Sequence, residues 1–425
     1  MDGEKTQSAV PRPDFVRCTW AGRELRFPRH DFDAACAHVC RVFKLDGLKP
    51  QQIQTLAALF DGRDVLALLP TGFGKTIAFT ALVVVYDFLL NGDPSSQART
   101  ATENDTFCRP ILIIVSPLTQ LILRQVKDFN DAMVAGDCKW LNAVCAYSSD
   151  GQIDESKHKL IYGGRPNVYF FSPGHLTGAG RFRALLSTKA FASRVVAFII
   201  DEVHCVQLWG VDFRKEYQML SSCRSLLGYS VPCGGFTATL TPEDQTAVAA
   251  SLCLTDTVLI QASPDRPNIF LRCEPFDHRI DEPALFDAII SELKEHKQAS
   301  RKLLIYCKSK SRAQDYWSYV QGAIQDSTRG PHLLVNMVSG DLSPAQVKSV
   351  TDAFMDVDSP LRVLFSSEVL GMGIDIKGLY RVWVIGQFGT LKEYVTSLPP
   401  SFLLPCPFCE FCSSLVHCKL PAGVL

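Results

Sequence analysis

Several things are missing from these 425 residues, and each absence narrows the reading. There is no excess of charge: 43 Lys and Arg stand against 44 Asp and Glu, a formal net charge of -1. Bulk positive charge therefore cannot hold a nucleic acid here, and any grip on one must come from a local basic groove. There is no long apolar run. The most apolar stretch, Thr76 to Leu90, is too short to span a bilayer and contains Asp87, so no membrane segment is expected. The N-terminal stretch MDGEKTQSAVPRPDF has no apolar core before a cleavage site, so no secretory signal is visible. No short internal repeat occurs, which sets solenoids and propellers aside.

What is present is an ordinary globular balance, 47% hydrophobic and 20% charged, in a chain long enough for two or three domains. Sixteen cysteines are mostly scattered, with Cys36, Cys40, Cys205, Cys233 and Cys307 in apolar or mixed surroundings. A free Cys behaves there as a small hydrophobe, and reduced thiols in an intracellular protein are expected.

Residues up to Arg29 carry no assigned period, and Asp31 to Phe43 reads as a short helix. A βα alternation follows: strand Asp64 to Leu69, turn Pro70 to Gly74, helix Lys75 to Leu90. After a polar insertion, Asn91 to Pro110, come strands Ile111 to Val115, Val168 to Phe171 and Val195 to Ile200. The last is apolar throughout, as in a parallel strand covered on both faces. Ala262 to Asn268 reads as a linker. Beyond it a helix carries Leu285, Ile289, Ile290 and Leu293, and strands recur at Leu303 to Tyr306, Leu361 to Phe365 and Val382 to Ile385. Ser343 and Pro344 open a helix with Val347, Val350 and Phe354. The pattern predicts two successive α/β units with parallel sheets. The expected divisions are an N-terminal segment 1–45, a first lobe 46–262, a linker 263–268, a second lobe 269–395 and a Cys/Pro-rich tail 396–425.

The strongest chemistry lies between a strand and a helix, in Leu69-Pro70-Thr71-Gly72-Phe73-Gly74-Lys75-Thr76. Backbone N–H groups of such a loop wrap phosphate oxygens, aided by the helix N-terminus. Lys75 would reach the β- and γ-phosphates and the Thr76 hydroxyl would ligate Mg²⁺. The strict spacing asks for Gly where Leu69 stands. Asp201 and Glu202, delivered at the end of an apolar strand, supply the acidic partner: Asp201 for the cation, Glu202 to orient and deprotonate the attacking water.

This pairing, continued through Asp201-Glu202-Val203-His204 and Trp209-Gly210-Val211-Asp212-Phe213-Arg214, resembles superfamily 2 helicases and, more narrowly, the RecQ family of DNA helicases. Other blocks follow in that family's order. Leu48 to Gln52 resembles the motif before the phosphate loop, in which Gln52 would read adenine. Ile114 to Leu121, with Ser116 and Pro117, resembles a DNA-contacting motif. Tyr169 to Leu176 sits at a Pro-centred strand end, Thr237-Ala238-Thr239 resembles the coupling motif, and Ser263 to Asn268 the linker between lobes. Leu304 to Cys307 and Ser367 to Asp375, with Gly373 and Asp375 toward the nucleotide, resemble two second-lobe motifs. The resemblance runs from about Phe43 to Val395.

It implies two tandem RecA-like P-loop lobes that clamp ATP, with Mg²⁺ as cofactor and single-stranded or partially duplex DNA as partner. Lys75, Asp201, Glu202 and His204 would be catalytic. His204 and Thr237 to Thr239 would pass the state of the γ-phosphate to the DNA side. Trp209, Phe213 and Arg214 would sense single-stranded DNA by stacking and cation–π contact. The family implies 3′→5′ translocation, repair and recombination, and a nuclear location.

The resemblance breaks after Val395. The family continues with Gln-x-x-Gly-Arg-x-Gly-Arg, but this chain reads Thr396-Ser397-Leu398-Pro399-Pro400. The expectation is a second lobe cut short, with turnover impaired for lack of the arginine pair that stabilises the transferring phosphoryl group. An ATP- and DNA-binding module without unwinding is therefore the second reading, and an RNA-directed ATPase the third. In the tail, Cys406, Cys409, Cys412 and Cys418 have spacing able to ligate zinc. That spacing is not the family's zinc module, and zinc is not expected there.

Overall fold

The computed structural model describes residues 14–70, 72–92, 109–117, 119–148, 153–163, 165–177, 181–205, 216–217, 219–228, 230–238, 240–263, 270–272, 282–307, 309–325, 334–367, 376, 378–385 and 413–415. The chain divides into two compact units between Pro264 and Asp265.

The first unit opens with a feature that the sequence reading left unassigned. Strands β1 (Phe15–Trp20) and β2 (Arg23–Pro28) form an antiparallel hairpin. Ala21 and Gly22, both at positive φ, make its two-residue turn. The signal was a period of two: Val16 and Cys18 are buried, and Trp20, Leu25 and Phe27 pack partly buried against the same core. Helix α1 (Arg29–Phe43) follows, two residues longer at its start than expected, and then α2 (Pro50–Phe60). The buried Phe60 ring meets Phe27, Phe32 and Tyr86, so hairpin and helices share one aromatic cluster.

The phosphate-loop segment then joins β3 (Val65–Leu68) to α3 (Lys75–Asn91). Strand β4 (Ile111–Val115), helix α4 (Thr119–Ala135) and strands β5 (Ala143–Cys145), β6 (Val168–Phe171), β7 (Val195–Ile200), β8 (Cys233–Thr237) and β9 (Val258–Gln261) complete the sheet. Its order is β5-β6-β4-β7-β8-β3-β9, and every pairing is parallel. β7 is buried at all its positions because its side chains alternate between two cores: Val196 and Ile199 on one face, Phe198 and Ile200 on the other. The expected insertion falls largely on 93–108, outside the described residues.

A buried ion pair ties the far edge of this sheet together. Arg224 donates to Asp64 at 2.7 and 2.9 Å and to the Cys253 carbonyl. Asp64 in turn accepts from the N–H groups of Cys233 and Thr255. One carboxylate thus organises the entrances to β3 and β8 and the turn before β9.

In the second unit, β10 (Phe270–Arg272) pairs in parallel with β15 (Ser413–Leu415). A separate parallel sheet is formed by β11 (Lys302–Cys307), β12 (Val335–Val338), β13 (Val363–Ser366) and β14 (Leu379–Ile385), in the order β12-β13-β11-β14. The helices Glu282–His296 and Lys310–Gln325 pack on one core, through Phe286, Ile289, Tyr316 and Val320, and Pro344–Met355 on the other, through Phe354. Ser343 and Gln346 close a capping box at the start of Pro344–Met355. At its other end the Lys302 ammonium donates to the carbonyls of Phe354 and Asp356 at 2.8 Å each. The two parallel-sheet α/β units expected from the sequence are therefore present, with helices on both faces of each larger sheet.

Candidate nucleotide and cation site

In the first unit, β7, β8 and β3 are neighbours and run the same way. Their C-terminal ends therefore release three segments at one edge: Asp201 to Cys205 after β7, Thr237 and Ala238 at the end of β8, and the loop 69–74 after β3. Open parallel sheets bind ligands outside this edge.

The loop is braced before any ligand arrives. Gly74 lies at φ +94°, which favours glycine, and a Cβ built on it would stand 2.6 Å from Gln52 Nε2 and displace that amide. Gln52 is buried; its Nε2 donates to the carbonyls of Phe73 and Gly74 at 3.4 and 3.2 Å, and its Oε1 accepts from the Lys49 N–H at 2.8 Å. Lys49 Nζ donates to the Phe73 carbonyl at 3.0 Å and lies 4.2 Å from the centre of the Phe73 ring. The block expected to read adenine thus also carries the scaffold of the phosphate loop. Gly72 has positive φ as well, and Thr71 lies outside the described residues. Lys75 Nζ donates to the Leu69 carbonyl at 3.3 Å, inside its own loop.

Across the edge, Asp201 is buried at the end of β7. Gln125 of α4 joins it to the loop: its Nε2 is 3.1 Å from Asp201 Oδ2 and 3.4 Å from Thr76 Oγ1. A hydroxyl and a carboxylate are thus gathered at one amide nitrogen. These hard oxygen donors suit a magnesium-like cation that completes its shell with waters and phosphate oxygens. Burial first, and then the adjacent Glu202 charge, push the Asp201 carboxyl up to about 6, against the pull of Lys75 and Gln125. Burial also works against the Glu202 charge, but Lys75 and His204 prevail and hold it down at about 2. Glu202 is thus held ionised by its neighbours, as a water-activating base must be.

Glu202 also holds the left-handed backbone conformation, φ +49°, which a side chain with a Cβ rarely adopts. The fold thus spends strain at this residue, turning the chain sharply just beyond the strand. His204 follows, buried, with Nδ1 at 3.2 Å from Glu202 Oε2 and 2.8 Å from Thr237 Oγ1. A physical chain runs from the base candidate through an imidazole to the end of β8. Thr237 is buried and Ala238 half-buried, while Thr239 lies outside the described residues.

Other expected residues fall less close. Ser116 and Pro117 are buried, and the Ser116 hydroxyl has no hydrogen-bond partner among the described residues. His175, in the Pro-centred block, shares its Nδ1 between the hydroxyls of Tyr147 at 2.7 Å and Ser172 at 3.2 Å. Trp209, Phe213, Arg214, Gly373, Asp375 and the cysteines 406, 409, 412 and 418 lie outside the described residues. Among the described residues no group of His, Cys, Asp and Glu is gathered to hold a metal by itself.

Two participants escaped the sequence reading. Lys49 gave no signal apart from its place in a motif. Gln125 did: it stands on the buried stripe of α4 formed by Ile122, Phe129 and Met133, where a polar side chain requires a partner.

Comparison with known proteins gives the family of the chain. Residues 49–248 match the DEAD/DEAH box helicase family, and residues 284–396 match the helicase conserved C-terminal domain. The chain is 24% identical over 356 residues to the ATP-dependent helicase SGS1 of Saccharomyces cerevisiae, covering 83% of this chain and 22% of that protein. It is 26% identical over 333 residues to the probable ATP-dependent DNA helicase RecS of Bacillus subtilis, covering 78% of this chain and 57% of that one. Such relatives are RecQ-type helicases, and the chain spans well under two thirds of their length. The structure of the DUF1998 helicase MrfA bound to DNA and AMPPNP superposes with a TM-score of 0.66 at 13% identity, over 96% of this chain and 52% of that one. That likeness concerns the fold, which is one of tandem RecA-like lobes.

Proposed function

Because the chain belongs to the helicases built from a DEAD/DEAH box domain and a helicase conserved C-terminal domain, we propose that it is an ATP-dependent DNA helicase of RecQ type. It hydrolyses ATP at the β3–α3 loop, translocates 3′→5′ on single-stranded DNA and separates duplexes in repair or recombination. The observation that carries the reading is the convergence of Lys75, Thr76, Asp201 and Glu202 at one sheet edge, with Gln125 touching both Thr76 and Asp201.

In this reading the loop amides and Lys75 bind the phosphates, and Thr76 with Asp201 holds Mg²⁺. The cation supplies charge neutralisation on the phosphoryl oxygens. Glu202 orients the attacking water and accepts its proton. His204 feels that change directly through Glu202 and relays it to Thr237, and from there to the strand-end segments that face DNA. Trp209, Phe213 and Arg214 complete the DNA sensor, and Gly373 and Asp375 serve the nucleotide from the second lobe. Gln52 keeps the loop in shape as well as serving adenine. A nuclear setting suits a DNA substrate of this kind.

Strand displacement with ATP on a 3′-tailed duplex, with a 5′-tailed duplex beside it, tests the proposal. Displacement of the 3′-tailed substrate alone is expected. ATP hydrolysis without displacement of either would favour an ATP- and DNA-binding module that does not unwind, the reading suggested by the sequence after Val395. Stimulation by RNA and not by DNA would place the chain among RNA-directed ATPases.

A further inference from the structure

Gln125 reaches the site from outside every motif that defines it, at the middle of α4. Its side chain is 6% exposed. Its two ends are unlike. Nε2 spans Asp201 Oδ2 and Thr76 Oγ1, while the buried Oε1 has no hydrogen-bond partner among the described residues. The orientation of the amide follows from chemistry: a carboxylate only accepts, so the group facing Asp201 must be the NH₂. A buried amide oxygen without a donor is costly.

We propose that Gln125 is a positioning residue for the cation–nucleotide complex: its NH₂ fixes the Thr76 hydroxyl and the Asp201 carboxylate relative to each other. This rests on the nucleotide reading above and adds to it a residue on α4. The same helix begins inside the block Ile114 to Leu121, whose resemblance points to DNA, so Gln125 also fastens that helix to the cation site. Partners that orient metal ligands typically change metal affinity 10–100-fold when removed.

The test uses the full chain and a fluorescent ATP analogue, titrated with Mg²⁺ and, separately, in EDTA. Gln125→Met keeps the length and bulk of the side chain while removing both polar ends. It is expected to raise the Mg²⁺ concentration needed for tight nucleotide binding ~10–100-fold, with affinity in EDTA changed less than about 2-fold, the span of ordinary context effects. Gln125→Asn, which retains the amide but shortens its reach, should show the same loss and serves if the Met variant does not fold. Met133→Ala, on the same buried stripe, should lower the thermal midpoint without moving the Mg²⁺ requirement. A wild-type Mg²⁺ requirement in both Gln125 variants would overturn the inference while leaving the nucleotide site standing. So would a shift of equal size in Met133→Ala. If the wild-type chain itself shows no Mg²⁺-dependent nucleotide binding, the nucleotide reading fails and this inference with it.

Discussion

Asp201 is held in surroundings that oppose its own charge, which makes it a reporter for the site at the scale of a single residue. Its carboxyl titrates near 6 in the fold against an ordinary 3.8, burial being the main cause. A raised acid pKa contributes stability that is fully present below the unfolded value and lost as pH rises through the folded one. Removing the charge should therefore stabilise the protein where the charge is present. Asp201→Asn in EDTA is expected to raise unfolding stability at pH 8 by on the order of 1–3 kcal/mol, with the difference vanishing toward pH 4. Denaturant melts at the two pH values measure it; equal stability at pH 8 would mean that Asp201 is not strained by its charge. Its neighbour behaves oppositely. Glu202 stays ionised beside Lys75 and His204, and Glu202→Gln should cut ATP turnover ~10²–10⁴-fold, the scale of a lost general base, while nucleotide binding persists. Single-turnover hydrolysis beside equilibrium binding separates the two effects. Much of this was legible in the sequence, because Gly74-Lys75-Thr76 and Asp201-Glu202 are contiguous strings. Gln125 was not named because it lies beyond the end of the block Ile114 to Leu121, although its place on an apolar stripe was visible. The left-handed turn at Glu202 leaves no trace in residue type.

Elements position these residues, and the sheet order is what the sequence left open. Apolar runs such as Val195–Ile200 and Ile111–Val115 were readable because burial on both faces leaves no polar position. The hairpin of β1 and β2 was passed over because each strand is only six residues long, too short for its alternation to stand out. β8 was hidden differently: Cys233-Gly234-Gly235-Phe236-Thr237 has little strand propensity and is held by its neighbours β3 and β7. Its entrance depends on the Arg224–Asp64 pair, whose partners lie 160 residues apart and give no local signal. Arg224→Met leaves the Asp64 carboxylate buried beside the two N–H groups that remain to it. The expected cost is ~3–5 kcal/mol, read as a fall in the denaturant midpoint of the first unit. Replacing both partners, as Arg224→Met with Asp64→Leu, should recover part of that loss. A single variant as stable as wild type would show that the pair does not hold these strand ends.

At the scale of the whole molecule, the chain divides into two α/β units that match the two successive helicase domains, residues 49–248 and 284–396. The sequence alone suggests a division at Pro-rich Ala262 to Asn268, beyond which the strand–helix alternation restarts. An even balance of charge means that any hold on DNA comes from local groups rather than from bulk attraction. ATP hydrolysis that answers to DNA is the property on which every part of the proposal converges. The most direct measurement is steady-state ATP hydrolysis by the full chain with and without single-stranded DNA, set beside Lys75→Ala. The account predicts hydrolysis that rises with DNA in the wild type and is lost in Lys75→Ala, with single-strand binding retained. Undiminished, DNA-stimulated turnover in Lys75→Ala would contradict it.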